Sequence, residues 1–108
     1  MITVVYNRTR HTLTMEGHAQ SGGEPGHDLV CASASILAYT LASSVSNMAE
    51  ADQVKEPVLK LNKGEARVSC KPRTRFTASV TLIFDSICAG FELLAANYPE
   101  NISYQLRI

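Results

Sequence analysis

The feature that most restricts the fold of this chain is an uncharged stretch between Leu29 and Ala49, which contains no Asp, Glu, Lys or Arg. About 20 apolar residues are enough to cross a bilayer as a helix. This stretch, however, contains five serines, and its flanks are acidic with no nearby Lys or Arg to set an orientation in a membrane. We therefore predict a helix from Leu29 to about Glu50 that is buried within the domain, and no membrane partner. Its apolar residues recur at helical spacing: Val30, Ala34, Leu37, Leu41, Val45 and Met48.

The segments around this helix are rich in β-branched and aromatic residues that favour strands, apart from a second stretch of helical periodicity. The element order ββαββαβ is typical of an α+β fold in which two helices pack on a largely antiparallel sheet. With 108 residues, the chain forms a single domain, residues 1–108. The predicted elements are strands at 2–6 and 12–18, a helix at 29–50, strands at 54–61 and 65–71, a helix at about 77–97 and a strand at 102–108.

The charge and cysteine content restrict the partners and the compartment. Ten Lys and Arg balance ten Asp and Glu, so the chain has no overall field that attracts nucleic acid or a membrane, and a direct nucleic acid partner is not required. Three cysteines without paired spacing give no disulfide framework, and the N-terminal segment lacks the pattern of a secretory signal. We expect a cytoplasmic protein that uses no cofactor and no metal.

Cys31 is a candidate nucleophile because it lies near the start of the predicted helix. Asp28 is a good N-cap, which places Cys31 in the first turn. Unpaired backbone N–H groups and the helix dipole favour the thiolate there, and thiolate is the reactive form of cysteine. Ser35 lies one turn further along the same face, where it can donate a hydrogen bond to the sulfur or to a substrate. The simpler interpretation is that Cys31 is a small core residue.

His18, at the end of the second predicted strand, is the candidate general base, since an imidazole accepts a proton near neutral pH. His27 is a rival base, which we place in the loop before the helix. A zinc site formed by His18, His27 and Cys31 is a further alternative, although their spacing matches no zinc motif. The loop between His18 and the helix is rich in glycine and is predicted to be mobile and to close over a peptide. Its key residues are Gly22, Gly23, Gly26 and His27.

The remaining residues with reactive or charged side chains have simpler interpretations. Cys70 and Cys88 are predicted to be core residues, and His11 to lie on the surface. The basic residues around the third and fourth strands form either a solvated face or a contact with ribosomal RNA phosphates. They are Lys71, Arg73 and Arg75, with Lys60, Lys63 and Arg67 on the hairpin.

Two segments of this sequence resemble the ribosomal-processing cysteine protease (Prp) family. The first is Gly17-His18-Ala19, then a short loop, then Asp28-Leu29-Val30-Cys31-Ala32-Ser33-Ala34-Ser35. The second, less specific by itself, is Gly90-Phe91-Glu92-Leu93-Leu94 followed by Tyr98-Pro99. The element order and the length are also similar to those of the family, so the resemblance covers nearly the whole chain.

The resemblance implies a homodimeric cysteine endopeptidase that removes an N-terminal extension from the precursor of large-subunit ribosomal protein L-twenty-seven. It implies that His18 is the base and Cys31 the nucleophile, with Gly17, Asp28 and Ser35 as the other residues of the active-site motif. The alternatives are a non-catalytic ribosome-associated module that binds RNA or protein, a zinc hydrolase and a purely structural dimer-forming domain.

Overall fold

A computed structural model describes residues 1–17 and 27–108 of the chain, with the backbone alone for His27 and Asp28. The element order is ββαββαβ, as predicted, with one additional short 3-10 helix before the second long helix. The elements are β1 (Ile2–Asn7), β2 (Thr12–Glu16), α1 (His27–Glu50), β3 (Val54–Asn62), β4 (Glu65–Pro72), the 3-10 helix (Thr74–Phe76), α2 (Thr77–Asn97) and β5 (Ile102–Arg107).

The five strands form one sheet in the order β3-β4-β2-β1-β5. Three neighbouring pairs are antiparallel, and β1 pairs with β5 in parallel. The parallel pair follows from the connection through α2, because a strand that returns after a crossover helix can run in the same direction as its neighbour. The predicted α+β fold with two helices on a largely antiparallel sheet is confirmed.

Both long helices pack on the same face of the sheet. Along β1, Ile2, Val4 and Tyr6 are buried, whereas the alternate side chains point to the other face. Phe84 and Phe91 of α2 are fully buried against this layer. Burial of one such aromatic side chain stabilises the fold by roughly 1.5–3 kcal/mol. The opposite face of the sheet carries no helix within the part of the chain that the structure describes.

The two helices also pack against each other, at a point where one of them has no side chain. A Cβ atom added to Gly90 of α2 would lie 2.7 Å from a methyl carbon of Leu37 in α1. Glycine therefore allows the two helices to approach closely at this position. This contact explains the glycine in the second family-like segment of the sequence.

By length and composition alone, both long helices are apolar enough to cross a membrane. Core helices meet the same test, and in this structure Val30, Leu41 and Val45 of α1 are fully buried. The predicted apolar stripe of α1 is therefore buried, whereas Leu29, Ile36 and Tyr39 on the rest of the helix are exposed. That the protein has no membrane partner stays a prediction.

Two predicted boundaries and one predicted exposure are wrong. The second strand ends at Glu16 rather than at His18, and α1 begins at His27, so Asp28 lies inside the first turn instead of preceding the helix. His27 is therefore a helical residue and does not belong to the preceding loop. Acidic residues are favoured throughout the first turn of a helix as well as at the N-cap, so the sequence alone did not fix where Asp28 lies relative to the helix start.

His11, which was expected on the surface, is buried with 8% of its area exposed. It lies in the β1–β2 turn with a φ of 46°, and its Nε2 is 2.6 Å from the Thr81 hydroxyl oxygen. The imidazole also packs edge-on against Phe84. Burial lowers the pKa of His11, and the positive charge of Arg8 lowers it further, while Asp85 raises it. The turn directs this ring into the core, which a strand-like alternation does not predict.

Beside His11, a polar network connects β1 with α2. The Tyr6 hydroxyl donates a hydrogen bond to Asp85 at 2.8 Å, and the Arg8 guanidinium contacts both oxygens of the same carboxylate. The Arg8 hydrogen bond holds the pKa of Asp85 below its usual range, while burial and Asp85 together raise the pKa of Tyr6. The buried Tyr6 hydroxyl therefore stays protonated and donates its hydrogen bond to the ionised Asp85.

The folded protein should lose stability on acidification partly because of His11. Its pKa is depressed below 6.5 by folding, so its contribution is fully present above that pH and is lost as pH falls through the folded value. His11→Asn keeps a residue that tolerates positive φ and removes this titration. Chemical denaturation of both proteins from neutral to mildly acidic pH should show a shallower decline for the variant. If the free energy of unfolding falls equally steeply with pH in both proteins, His11 does not contribute to the acid sensitivity.

Candidate active site

Cys31 lies at the beginning of the second turn of α1, four residues after His27. It is half-buried and packs against the edge of the core. Because the helix starts at His27, Cys31 lies slightly further from the helix end than the sequence predicted. The described structure places the sulfur at the surface of a cleft rather than in the sealed interior.

The cleft beside Cys31 has a volume of about 350 Å³ and lies between α1, β2 and the β3–β4 hairpin. Gly17, Cys31 and Ser35 line it together, so the structure brings three of the predicted site residues to one place. Ser35 is one helical turn after Cys31, as its spacing predicted. His18 and the side chain of Asp28 lie outside the described residues, so their roles stay predictions.

Gly17 has a backbone conformation that only glycine adopts without strain. Its φ is 107°, its N–H donates to the Gly64 carbonyl at 3.0 Å, and a Cβ atom here would collide with the Met1 carbonyl. The hydrogen bond attaches the end of β2 to the turn of the β3–β4 hairpin. This contact fixes the chain immediately before His18 at the wall of the Cys31 cleft.

Apolar side chains that the sequence did not single out also line the cleft. Tyr39 lies on α1 four residues after Ser35, and Met15 and Leu61 come from β2 and β3. The four-residue step from Cys31 to Ser35 extends to Tyr39, so helical spacing was a signal for this residue. Nothing local in the sequence marked Leu61, because it reaches the cleft only through the pairing of β3 with β4.

The other two cysteines are core residues, as predicted. Cys70 and Cys88 are 3% and 2% exposed, and burial raises their pKa values to about 11 and about 12. A hydrogen bond with Tyr104 partly offsets the shift at Cys88. At neutral pH both groups are therefore unreactive thiols.

No group of three metal-ligating side chains occurs among residues 1–17 and 29–108, whose side chains the structure describes. The zinc alternative involved His18 and the His27 side chain, which lie outside that description, so this result does not test it. The loop glycines Gly22, Gly23 and Gly26 also lie outside the described residues.

Three of the six basic residues around the third and fourth strands form ion pairs with neighbouring carboxylates. Ion pairs join Lys60 to Glu65 at 3.3 Å, Lys71 to Glu56 at 2.7 Å and Arg73 to Asp52 at 2.7 Å. Arg75 instead stacks over the Phe76 ring at 5.1 Å. This set of residues does not form one continuous cationic surface.

Comparison with known proteins agrees with the fold. The family model of the cysteine protease Prp matches residues 1–103. The chain therefore belongs to the Prp family of cysteine proteases. A sequence search of curated proteins gives no significant match.

Solved structures of similar proteins cover the whole domain. The ribosomal processing protease Prp from S. aureus with a covalently linked product peptide has a TM-score of 0.75 and 23% identity, over 99% of this chain and 100% of that one. The same S. aureus enzyme with a substrate peptide has a TM-score of 0.72 and 21% identity, with the same coverage. SMU.848 from Streptococcus mutans has a TM-score of 0.67 and 25% identity, over 98% of this chain and 91% of the SMU.848 chain.

Cys31 should react with iodoacetamide much faster than the other two cysteines. Its sulfur is at a cleft, whereas Cys70 and Cys88 are buried thiols with raised pKa values. Mass spectrometry of the folded protein at neutral pH should find the label at Cys31 first. The same reaction in denaturant, where all three should label equally, is the control. Equal labelling of the three in the folded protein would contradict this prediction.

Proposed function

We propose that this protein is the endopeptidase that removes the N-terminal extension from the precursor of ribosomal protein L-twenty-seven. The observation that carries the proposal is the position of Cys31 in a cleft whose wall includes Gly17, the residue directly before His18. Membership of the Prp family and the peptide-bound S. aureus structures support it.

In the proposed reaction, the Cys31 thiolate attacks the carbonyl carbon of the scissile peptide bond and forms a C–S bond. His18, as an imidazolium, donates its proton to the departing amine as the C–N bond breaks. Water then attacks the thioester carbonyl while His18 accepts its proton, the C–S bond breaks, and the extension leaves with its new carboxylate as the Cys31 thiolate and the His18 imidazolium are restored. Backbone N–H groups at the start of α1 are candidates for stabilising the oxyanion in both steps.

The lining of the cleft fits an extended peptide with apolar side chains. Met15, Tyr39 and Leu61 line the cleft with large apolar side chains, and Ala34 and Ala38 line it with small ones. The resemblance to the Prp family implies that the cut follows a pair of aromatic residues, and these side chains are the candidates for binding that pair. Ser35, Asn62 and Lys63 also line the cleft and are the candidates for holding the peptide backbone or a charged group.

Closure of the glycine-rich loop over the bound peptide is part of the proposal. Loops that close over a substrate exclude water and complete a catalytic site. The backbone position of His27 restricts the loop to the residues before it, because α1 has already begun there. His27 is therefore part of α1 rather than of the loop, and we propose His18 as the base because the resemblance to the Prp family implies it.

We further propose that the enzyme is a cytoplasmic homodimer. Ile36 of α1 and Leu93 of α2 are 62% and 65% exposed on the outer surface of the helix pair. Together with Leu37, Leu94 and Tyr98 they line a shallow apolar groove of about 460 Å³. Apolar patches of this kind are common at contacts between protein subunits. Free cysteines agree with a reducing compartment.

Cys31→Ala should abolish cleavage of a precursor peptide, with a loss in kcat/KM of at least about a thousandfold, because the nucleophile is removed. His18→Gln should cause a loss of similar order. Cys70→Ala is the matched control, since it removes a buried thiol and should retain cleavage. The rates are measured by mass spectrometry of the products. Wild-type cleavage by Cys31→Ala would overturn the assignment.

Ile36→Lys should convert the proposed dimer to a monomer, because a charge placed in an apolar contact remains unpaired after burial. Light scattering at several protein concentrations measures the mass. Asn47→Lys, at an exposed position of the same helix away from the groove, is the control and should remain dimeric. A wild-type monomer, or an unchanged mass in Ile36→Lys, would contradict this prediction.

A further inference from the structure

Three arginines converge on the face of the sheet that lies opposite the helices and the Cys31 cleft. Arg10 belongs to the β1–β2 turn, Arg67 to β4 and Arg107 to β5, and all three line one cleft of about 210 Å³. All three residues are exposed. We refer to this feature as the arginine cleft.

The strand register explains why residues so distant in sequence meet here. Arg67 pairs with Thr14 on β2, and Thr14 pairs with Val5 on β1. Asn7, also on β1, pairs with Thr12 on one side and with Arg107 of β5 on the other. The arginine cleft therefore has two threonines and an asparagine at its base and an arginine on each side.

The charge of the arginine cleft is uncompensated within the described part of the chain. Its lining residues are Val5, Asn7, Arg10, Thr12, Thr14, Arg67 and Arg107, which include no carboxylate. None of its three arginines forms an ion pair with a described residue, whereas Arg8 and Arg73 do. The Arg107 guanidinium makes one long contact, 3.5 Å, to the Gln105 side-chain oxygen. Like charges held near each other are unfavourable, and a bound anion removes that cost.

The donor groups of the arginine cleft fit a phosphate. A guanidinium presents parallel N–H donors that match two phosphate oxygens, and this geometry is stronger than a point charge alone. Thr12, Thr14 and Asn7 supply hydroxyl and amide groups of the kind that contact phosphate oxygens in nucleic acid complexes.

A second, larger cleft of about 650 Å³ continues from the first and shares Arg10, Thr12 and Arg67 with it. It extends along β4 past Ser69 to Lys71, whose partner Glu56 also lines it. Neither cleft is lined by a Phe, Tyr or Trp side chain from the described residues. The only aromatic ring among the described lining residues is the imidazole of His11, which is 8% exposed, so bases have little surface on which to stack and contact with the backbone is favoured.

We propose that the arginine cleft binds phosphate groups of an RNA backbone, at a site separate from the peptide-cleaving cleft. A phosphodiester chain and a free nucleotide would both present a phosphate to two or three guanidinium groups. The extension into the second cleft favours a phosphodiester chain over a free nucleotide as its source, because neighbouring phosphates are then bound along β4. This inference does not depend on the identity of the peptide substrate.

The test measures fluorescence anisotropy of a labelled RNA hairpin with the full chain at several salt concentrations. Arg67→Ala and Arg107→Ala should each weaken binding about tenfold, since each removes a charge-assisted contact. Each should also reduce the slope of log affinity against log salt by about 1. Arg75→Ala, which removes an arginine outside both clefts, is the matched control and should change binding little. Arg67→Lys should bind more tightly than Arg67→Ala but less tightly than the wild type, because lysine restores the charge without the parallel N–H donors of the guanidinium.

AMP and inorganic phosphate, added as competitors, identify the source of the phosphate. Displacement of RNA only at high competitor concentration supports a phosphodiester chain. Arginine-dependent binding of AMP without binding of RNA supports a phosphate site but overturns RNA as its source. Equal losses in Arg67→Ala and Arg75→Ala, or no binding of any probe, overturn the proposal.

Peptide cleavage and mass are measured on the same variants. Cleavage should be unchanged in Arg67→Ala and Arg107→Ala, because the arginine cleft lies on the opposite face of the sheet from Cys31. A changed oligomeric mass in these variants would instead assign this face to contact between copies of the chain and overturn the proposal. Failure of the wild-type protein to cleave the precursor peptide bears on the proposed protease function alone.

Discussion

The packing of α1 on the sheet is the interaction on which the rest of this structure depends. Val30, Leu41 and Val45 are fully buried, and Ala34 and Ala38 allow the helix to lie close to the strands. The same helix presents Cys31 one residue after Val30, so the anchoring face and the reactive face are adjacent. A nucleophile on a helix held in this way keeps its position relative to the sheet, which suits a reaction that requires close alignment of the reacting atoms.

The two faces of the sheet have different chemistry because side chains alternate along each strand. On β4, Ala66 and Val68 are buried, whereas Arg67 points to the open face. One strand therefore contributes both to the wall of the Cys31 cleft, through Ala66, and to the arginine cleft, through Arg67. This separation allows a peptide and a second, anionic ligand to bind without direct competition.

Glycines at two contacts determine how closely the elements of this fold approach. At Gly17 the chain leaves β2 with a φ of 107° and is attached to the hairpin by the bond to Gly64. At Gly90 the absence of a side chain leaves space for Leu37 of α1. The first contact shapes the Cys31 cleft, and the second sets the distance between the helices whose outer apolar groove we propose as the dimer contact.

The sequence by itself determined the element order, the buried face of α1 and the helical spacing of Cys31 and Ser35, because each depends on the local period of a helix or strand. It did not determine the burial of His11, since a turn rather than a strand directs that ring. Only the tertiary structure placed Leu61 beside Cys31 and brought Arg10, Arg67 and Arg107 together. Such contacts depend on which strands pair and in what register, and pairing joins residues whose separation along the chain carries no local signal.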